Sequence, residues 1–512
     1  MRIQRPHYLN KLIAKRGNGR VKVITGVRRC GKSFLLFELF KDYLKEDGVS
    51  GSQFIELTLE DAQFMRYRNP LELDKYLRER IKKNKAESYV FIDEIQFVEE
   101  IKNPYLQEGE EKIGFVDVLL GIMKLEGVDV YITGSNSKML STDINTQFRG
   151  RNDEIQVFPL SFSEFCSAYP GSMTAAWEEY SIYGGMPAIA TEISHEEKSE
   201  YLRSLVNRTY LQDIINRNNI RHDESVLFTL LQVLASTAGS PVNPTRIANT
   251  FKSERNIPIS ANTIEKYLKY FEEAFFIRKA NRYDVKGNKY ISTLFKCYFV
   301  DPGIRNAILN FRERDEGFVM ENIIYIELVK RGYNVDTGSL EYNSKDKEGK
   351  SKRTQLEIDF VVNRGSKRYY IQAALDVATS AKQAQETNSL NRITDSFKKI
   401  VIVKDNVIPW QDNHGITYTG VERFLSREDF LDIESVDSLI DIEGIQKIQH
   451  LFADEDTARF VWRKLKTAAA RNNDRKALDD VKRIVSGNGI RSSIDDSSAR
   501  RLLKEVRNML NK

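Results

Sequence analysis

The run Gly26-Val27-Arg28-Arg29-Cys30-Gly31-Lys32-Ser33 has the spacing G-x-x-x-x-G-K-[ST]. A loop of this kind turns successive backbone N–H groups into one concavity at a helix N-terminus, where the dipole also favours anions. The chemistry expected is nucleoside triphosphate binding, with Gly26, Val27, Arg28, Arg29, Cys30, Gly31, Lys32, Ser33 and Phe34 around the phosphates. Lys32 would reach the β/γ-phosphates and the Ser33 hydroxyl would take one position on Mg²⁺. Sixty residues on, Asp93-Glu94 supplies two carboxylates. Asp93 is the expected second Mg²⁺ residue, usually through water, and Glu94 the residue that prepares the attacking water. An Asp-Glu pair points to hydrolysis rather than to simple nucleotide holding.

Two further clusters complete the candidate catalytic set. Thr133-Gly134-Ser135-Asn136-Ser137 offers a polar group to orient water or sense the γ-phosphate. Ser135 and Asn136 both qualify, and a plain turn capping the next helix is the alternative. Phe148-Arg149-Gly150-Arg151 brings two guanidinium groups that could meet developing charge on the γ-phosphoryl group, within the chain or across a subunit interface. A surface salt bridge or a helix-end cation is the competing reading for both. The expected catalytic residues are thus Lys32, Glu94, Asn136, Arg149 and Arg151, with Ser33 and Asp93 on the metal.

These groups need a scaffold, and the apolar runs around them supply one. Val21 to Thr25 reads as a buried strand entering the phosphate loop, and Phe34 to Phe40 as a helix leaving it. Ser88 to Glu94, Val128 to Thr133 and Glu154 to Leu160 read as further strands. In a parallel sheet ligands gather at the carboxyl ends of strands, where each motif falls. With 512 residues the chain has length for two to four domains. Hydrophobic residues make up 41% and charged residues 29%, with no run of 18 apolar residues, so no membrane span is expected. The first residues lack the apolar core of a signal peptide. Three scattered cysteines, Cys30, Cys166 and Cys297, indicate neither a disulfide framework nor a C-x-x-C metal site, and a reducing cytoplasm is the natural setting. Of the net charge of +5, residues 451–512 hold +6, from 15 Lys/Arg and 9 Asp/Glu. The body therefore has no basic bias, and a solvated helical face is preferred over phosphate contact for the basic tail.

Taken together, several segments resemble a family of prokaryotic AAA-like P-loop ATPases with a C-terminal region of unknown function. They are Val23 to Ser33, Phe91-Ile92-Asp93-Glu94-Ile95-Gln96, Thr133 to Ser137, Phe148 to Arg151, Pro159-Leu160-Ser161-Phe162 and Tyr183-Gly184-Gly185-Met186-Pro187. The resemblance runs from about residue 3 to about residue 430. It implies an α/β fold: a P-loop AAA-type parallel sheet with helices on both faces, then a helical and winged-helix region and an α/β restriction-endonuclease-like domain. The domains it implies are 1–160 (ATPase), 161–220 (helical linker or lid), 221–300 (winged helix) and 301–432 (nuclease-like); 433–512, where the resemblance fades, has the amphipathic patterning of a basic helical extension. ATP rather than another nucleotide rests on the resemblance.

The residues bear on these later domains independently. Ser199 to Asn218 and Leu227 to Ala235 carry helical patterning, a helix starts near Pro244, and Ser260 can cap another through Phe271. Asp284 to Lys289 is a plausible wing. Lys266, Lys269, Arg278, Lys279, Arg282, Lys286 and Lys289 could contact DNA phosphates, but Glu265, Glu272 and Glu273 lie alongside, so protein docking or a structural role ranks ahead. Further on, Glu321, Asp359, Gln372 and Ala374 follow the acid, acid-x-lysine layout of restriction-type nucleases with the second acid and the lysine missing. Asp376 and Lys382 are the nearest replacements, though no spacing requires them. The function expected is Mg²⁺-dependent ATP hydrolysis that switches the C-terminal domains. The alternatives are an ATP-controlled nucleic-acid-binding regulator or defence-type factor, and an ATP-gated scaffold for a protein partner or a second copy.

Overall fold

The computed structural model describes residues 2–84, 86–105, 111–135, 148, 150–191, 194–220, 224–312, 315–345, 351–450, 452, 455–469, 474–486 and 496–510. The chain divides into two compact units, residues 1–282 with 290–330, and residues 283–289 with 331–512.

The first unit is built on five strands: β1 (Val21–Thr25), β2 (Phe54–Thr58), β3 (Ser88–Asp93), β4 (Val128–Gly134) and β5 (Asn152–Gln156). They form an all-parallel sheet in the order β2-β3-β4-β1-β5. β1 and β3 are buried along their whole length, as strands covered on both faces must be. Alternation then sorts the side chains. Val90, Ile92, Val130 and Ile132 meet Leu73 and Leu77 of helix α3 (Pro70–Lys83) and Leu119 and Ile122 of α4 (Phe115–Ile122). On the opposite parity Phe91 and Tyr131 pack against Phe40 of α2, a helix from Lys32 to Glu46 with a π-helical stretch at Leu35–Phe40. Lys22 is fully buried in β1, which is tolerable because it pairs with Asp129 on β4, itself bonded by the Tyr131 hydroxyl at 2.6 Å and the Gly17 N–H at 2.9 Å. Helix α1 (Pro6–Lys15) precedes the sheet.

Beyond β5 the expected strand through Leu160 stops at Gln156. Pro159 has no N–H to give a ladder, and Leu160 instead donates to the Gly185 carbonyl at 2.7 Å. Helices α5 (Phe162–Ala168) and α6 (Met173–Tyr183) follow, then α7, which runs from His195 to Arg217 with a π-helical stretch at Leu205–Leu211. Next come α8 (Glu224–Ser236), α9 (Pro244–Arg255), α10 (Ala261–Glu273), neighbouring strands β6 (Ile277–Asp284) and β7 (Lys289–Phe299), α11 (Pro302–Ile308) and α12 (Glu316–Lys330). Asn243 and Ser260 cap α9 and α10, accepting from the N–H groups of Arg246 and Thr263.

The second unit holds a mixed sheet from β8 (Asn334–Lys345), β9 (Ser351–Arg364), β10 (Lys367–Ala374), β11 (Lys398–Val403), β12 (Trp410–Gln411) and β13 (Ile416–Gly420), in the order β12-β13-β11-β10-β9-β8. β8, β9 and β10 are antiparallel neighbours, whereas β10, β11 and β13 run parallel. Helices α13 (Ser380–Thr387) and α14 (Val421–Ser426) accompany it. Four helices then close on their own core: α15 (Val436–Gln449), α16 (Glu455–Ala469), α17 (Asp474–Ser486) and α18 (Asp496–Leu510), around Trp462, Leu465, Val481 and Val506.

Candidate functional site

Because β3, β4 and β1 are adjacent and parallel, their carboxyl ends place Asp93-Glu94, Thr133 to Ser135 and the phosphate loop side by side. The loop backbone alternates into the left-handed region at Arg29 (φ 65°) and Gly31 (φ 96°), the pattern that concentrates N–H groups in a nest. Gly31 is the N-cap of α2. Lys32 is buried, and its Nζ donates to the carbonyls of Gly26 (3.0 Å) and Val27 (3.2 Å), spanning the mouth of the loop.

Ser33 Oγ lies 2.9 Å from both carboxylate oxygens of Asp93. The Thr133 hydroxyl donates to Asp93 and accepts the Glu94 N–H at 3.0 Å, so one threonine fixes the turn that presents both acids. Glu94 itself is left-handed, φ 52°. Burial pushes the Asp93 carboxyl above the ordinary aspartate range, against the hydrogen bonds from Thr133 and Ser33. A partly desolvated carboxylate beside a hydroxyl and a second acid suits a hard divalent cation, and Ser33 and Asp93 therefore fit Mg²⁺. Among the described residues no group of three or more His, Cys, Asp or Glu gathers that could hold a metal unaided. Such an ion would also need phosphate oxygens or water. Glu94 Oε2 accepts from Ser135 Oγ at 3.2 Å and from the Gln96 amide.

Helix α7 reaches the same place. Arg217 donates to Ser135 Oγ at 3.1 Å, Asp213 pairs with Arg28 at 3.2 Å, and the Tyr210 hydroxyl donates to the Arg28 carbonyl at 2.9 Å. Arg28 also pairs with Glu60. A polar path thus runs from the phosphate loop through α7 to the residue that bonds Glu94.

Residues 18–166 match the family described as an AAA domain, and residues 174–315 and 316–423 match two domains of unknown function, DUF8612 and DUF4143. Over 405 residues the chain is 33% identical to an uncharacterized protein of Haemophilus influenzae, spanning 78% of this chain and 93% of that one. The chain belongs to this AAA-domain family. A second uncharacterized relative of the AAA-domain protein, from Methanocaldococcus jannaschii, is 29% identical over 401 residues, covering 76% of this chain and 80% of its own. Among solved structures, a Walker-type ATPase of Pyrococcus abyssi aligns with a TM-score of 0.38 at 14% identity, over 60% of this chain and 96% of its own. The Aeropyrum pernix ORC1 protein in complex with DNA aligns with a TM-score of 0.29 at 12% identity, over 60% and 92%.

Within the AAA-domain protein, the residues expected from sequence at the loop, Asp93 and Glu94 come together at one sheet edge. Asn136 and Arg149 lie outside the described residues. Arg151 stands elsewhere: its carbonyl accepts the Val21 N–H at 3.1 Å, at the amino end of β1. The five residues of β1 separate it from the loop, roughly 16 Å of strand. Thr133 belongs to a cluster that the sequence offered, but Ser135 and Asn136 were the residues chosen from it; Gln96, Arg217, Asp213 and Tyr210 were not assigned to the site from sequence. Their signal was available in part, since Tyr210, Asp213 and Arg217 recur at helical spacing on α7.

The nuclease-like positions are each occupied by local contacts. In the first unit Glu321 accepts from Lys296 at 3.0 Å and from the Tyr298 hydroxyl at 2.6 Å. In the second, Asp359 accepts the Ala373 N–H at 2.8 Å, Gln372 accepts the Asp359 N–H at 3.4 Å, and Ala374 is buried in an apolar cluster with Val401 and Tyr418. Asp376 and Lys382 pair with one another at the surface. Of the cations expected to face DNA, Lys269 pairs with Glu273 and Lys279 with Glu272, and Arg278 donates to Gln156 and stacks on Phe158.

Proposed function

We propose that this chain binds Mg·ATP at the phosphate loop and hydrolyses it, and that the cycle switches the regions that follow the AAA domain. The observation that carries this reading is the convergence of Lys32, Ser33, Asp93 and Glu94 on the carboxyl ends of three adjacent parallel strands. Lys32 would meet the β/γ-phosphates, and Ser33 with Asp93 would hold the cation, which neutralises phosphate charge when bound. Ser135 and Gln96 both bond Oε2 of Glu94, so Oε1 is the oxygen that would draw a proton from the attacking water. Arg217 on α7 would exchange its bond to Ser135 for the γ-phosphate, loosening the hold on Glu94 as nucleotide enters.

This assignment of the switch to α7 is supported by the pair Arg28–Asp213 and by the bond from Tyr210, which tie the helix to the loop itself. Steady-state ATP turnover by the full chain tests the reading. Wild type should turn over only with Mg²⁺, and Glu94→Gln should bind ATP while turnover falls by about 10²–10³-fold. Equal turnover in wild type and Glu94→Gln, or none in either, would sink it.

A further inference from the structure

We propose that Arg5 is a positioning residue for the phosphate loop, holding from behind the peptide that presents the Gly31 N–H; the inference rests on the nucleotide reading of that loop. Arg5 is only 2% exposed, and its guanidinium lies over the Tyr8 ring at 4.7 Å. Its Nη1 donates to the Cys30 carbonyl at 2.9 Å. Its Nη2 donates to the Phe158 carbonyl at 2.8 Å and to the Pro159 carbonyl at 3.3 Å, and Nε and Nη2 each meet a Glu164 oxygen at 3.1 Å. One planar fork therefore ties the loop to the segment after β5 and to the first turn of α5.

A trans peptide sends its C=O and its N–H to opposite sides. Fixing the Cys30 carbonyl on Arg5 turns the Gly31 N–H away from Arg5, toward the nest. The segment that Arg5 braces is the one the loop already leans on: Cys30 Sγ contacts the Val157 carbonyl at 3.4 Å, and the Val157 N–H donates to the Thr25 carbonyl at 2.7 Å just before Gly26. Glu164 cancels the guanidinium charge, so the contribution is geometric rather than a long-range field. It also needs arginine, because a lysine ammonium cannot place planar donors on these four acceptor groups at once.

Binding of Mg²⁺ with a non-hydrolysable ATP analogue to the full chain, read with thermal unfolding, tests this. Arg5→Lys should raise Kd for the analogue by about tenfold or more, with kcat at saturating ATP within about twofold of wild type. Glu164→Gln keeps the bond from Arg5 to Cys30 and should lower Tm while Kd stays within about twofold. If Arg5→Lys does not fold, Arg5→Met with Glu164→Met removes the pair as a unit and leaves no unpaired buried charge. That variant should show the same rise in Kd. An unchanged Kd in Arg5→Lys or in the double variant, or a rise in Glu164→Gln as large as in Arg5→Lys, overturns the role of Arg5. A wild type that binds no nucleotide, like Lys32→Ala, overturns the nucleotide reading instead.

Discussion

Gly26 has φ 144°, and a β-carbon there would stand 2.1 Å from the Val157 carbonyl oxygen. No side-chain rotation relieves a clash with backbone, so Gly26→Ala must displace the loop or the segment behind it. The expected result is loss of nucleotide binding with a lower Tm, measured on the full chain by titration and calorimetry. Asp301 makes a different prediction. It caps α11 by accepting the Ile304 N–H, and it also accepts the Gly185 N–H at 2.6 Å. Burial nevertheless pushes its carboxyl up to about 6. The folded state then holds a proton that the unfolded chain, with an ordinary aspartate, has released. Its contribution to stability is fully present below about pH 4 and is lost as pH rises through about 6, worth up to about 3 kcal/mol. Asp301→Asn should remove that component from unfolding curves recorded between pH 4 and 7, and an unchanged slope would refute the assignment.

In the proposed cycle, helix α7 is the element that would carry switching. Its first half packs Leu202, Leu205 and Val206 into the interior, and its last turns carry Tyr210, Asp213 and Arg217 to the nucleotide site. The last turns are also buried, at Leu211, Ile214 and Ile215, so a ligand that competes for the polar contacts would act on a helix packed along its length. Arg217→Ala should therefore reduce the effect of ATP on amide exchange in residues 205–217 while leaving exchange in α3 alone. If nucleotide protects α7 equally in both proteins, the helix is not the switch. A second link leaves the sheet at Gln156, which accepts from Arg278 of β6, and Phe158 stacks under the same guanidinium at 5.0 Å. The segment after β5 thus touches the phosphate loop on one side and the β6–β7 pair on the other, which makes Arg278→Ala the variant expected to weaken coupling without altering ATP affinity.

At the scale of the whole molecule, the constellation suited to hydrolysis among the described residues is the one around the phosphate loop. Glu321 is neutralised by Lys296, and no lysine stands at Ala374, so Mg²⁺ or Mn²⁺ should support no DNA cleavage. Cleavage abolished by Asp359→Ala would contradict this. Nucleic-acid binding is a separate matter. Lys269 and Lys279 are committed to Glu273 and Glu272, and any binding through the remaining cations should weaken steeply with added salt. The helices α15–α18 have their own core, with Trp462 Nε1 bonded to Asp441 at 2.9 Å, and they lie beyond the residues matched to known families. Removing residues 433–512 should accordingly leave ATP turnover within about twofold of the full chain, measured at saturating ATP; a larger loss would place the bundle in the proposed ATP cycle.

Four of the five parallel strands, the phosphate loop and the Asp93-Glu94 pair were legible in the sequence because each is local, whereas β2, with Glu56 and Thr58 among its five residues, was not. A buried strand writes itself as a continuous apolar run, and a phosphate nest needs its glycines and lysine within eight residues. The π-helical stretches in α2 and α7 left no such trace, nor did the end of β5 at Gln156, where Pro159 and the pull of Gly185 decide against a longer strand. Arg151 illustrates the limit most plainly. With Arg149 it flanks Gly150, which suggested a guanidinium for the γ-phosphoryl group within the chain or across a subunit interface, and strand direction carries it to the amino end of β1, away from the loop of its own chain. Arg5, Thr133, Asp213 and Arg217 join the site from positions up to 212 residues apart, and only packing brings them there. The sequence by itself determined which groups can bind phosphate and prepare water, since that chemistry resides in residue types at short spacing. The tertiary structure alone decided which arginines, threonines and carboxylates surround them, since long-range contacts follow from strand order and helix burial.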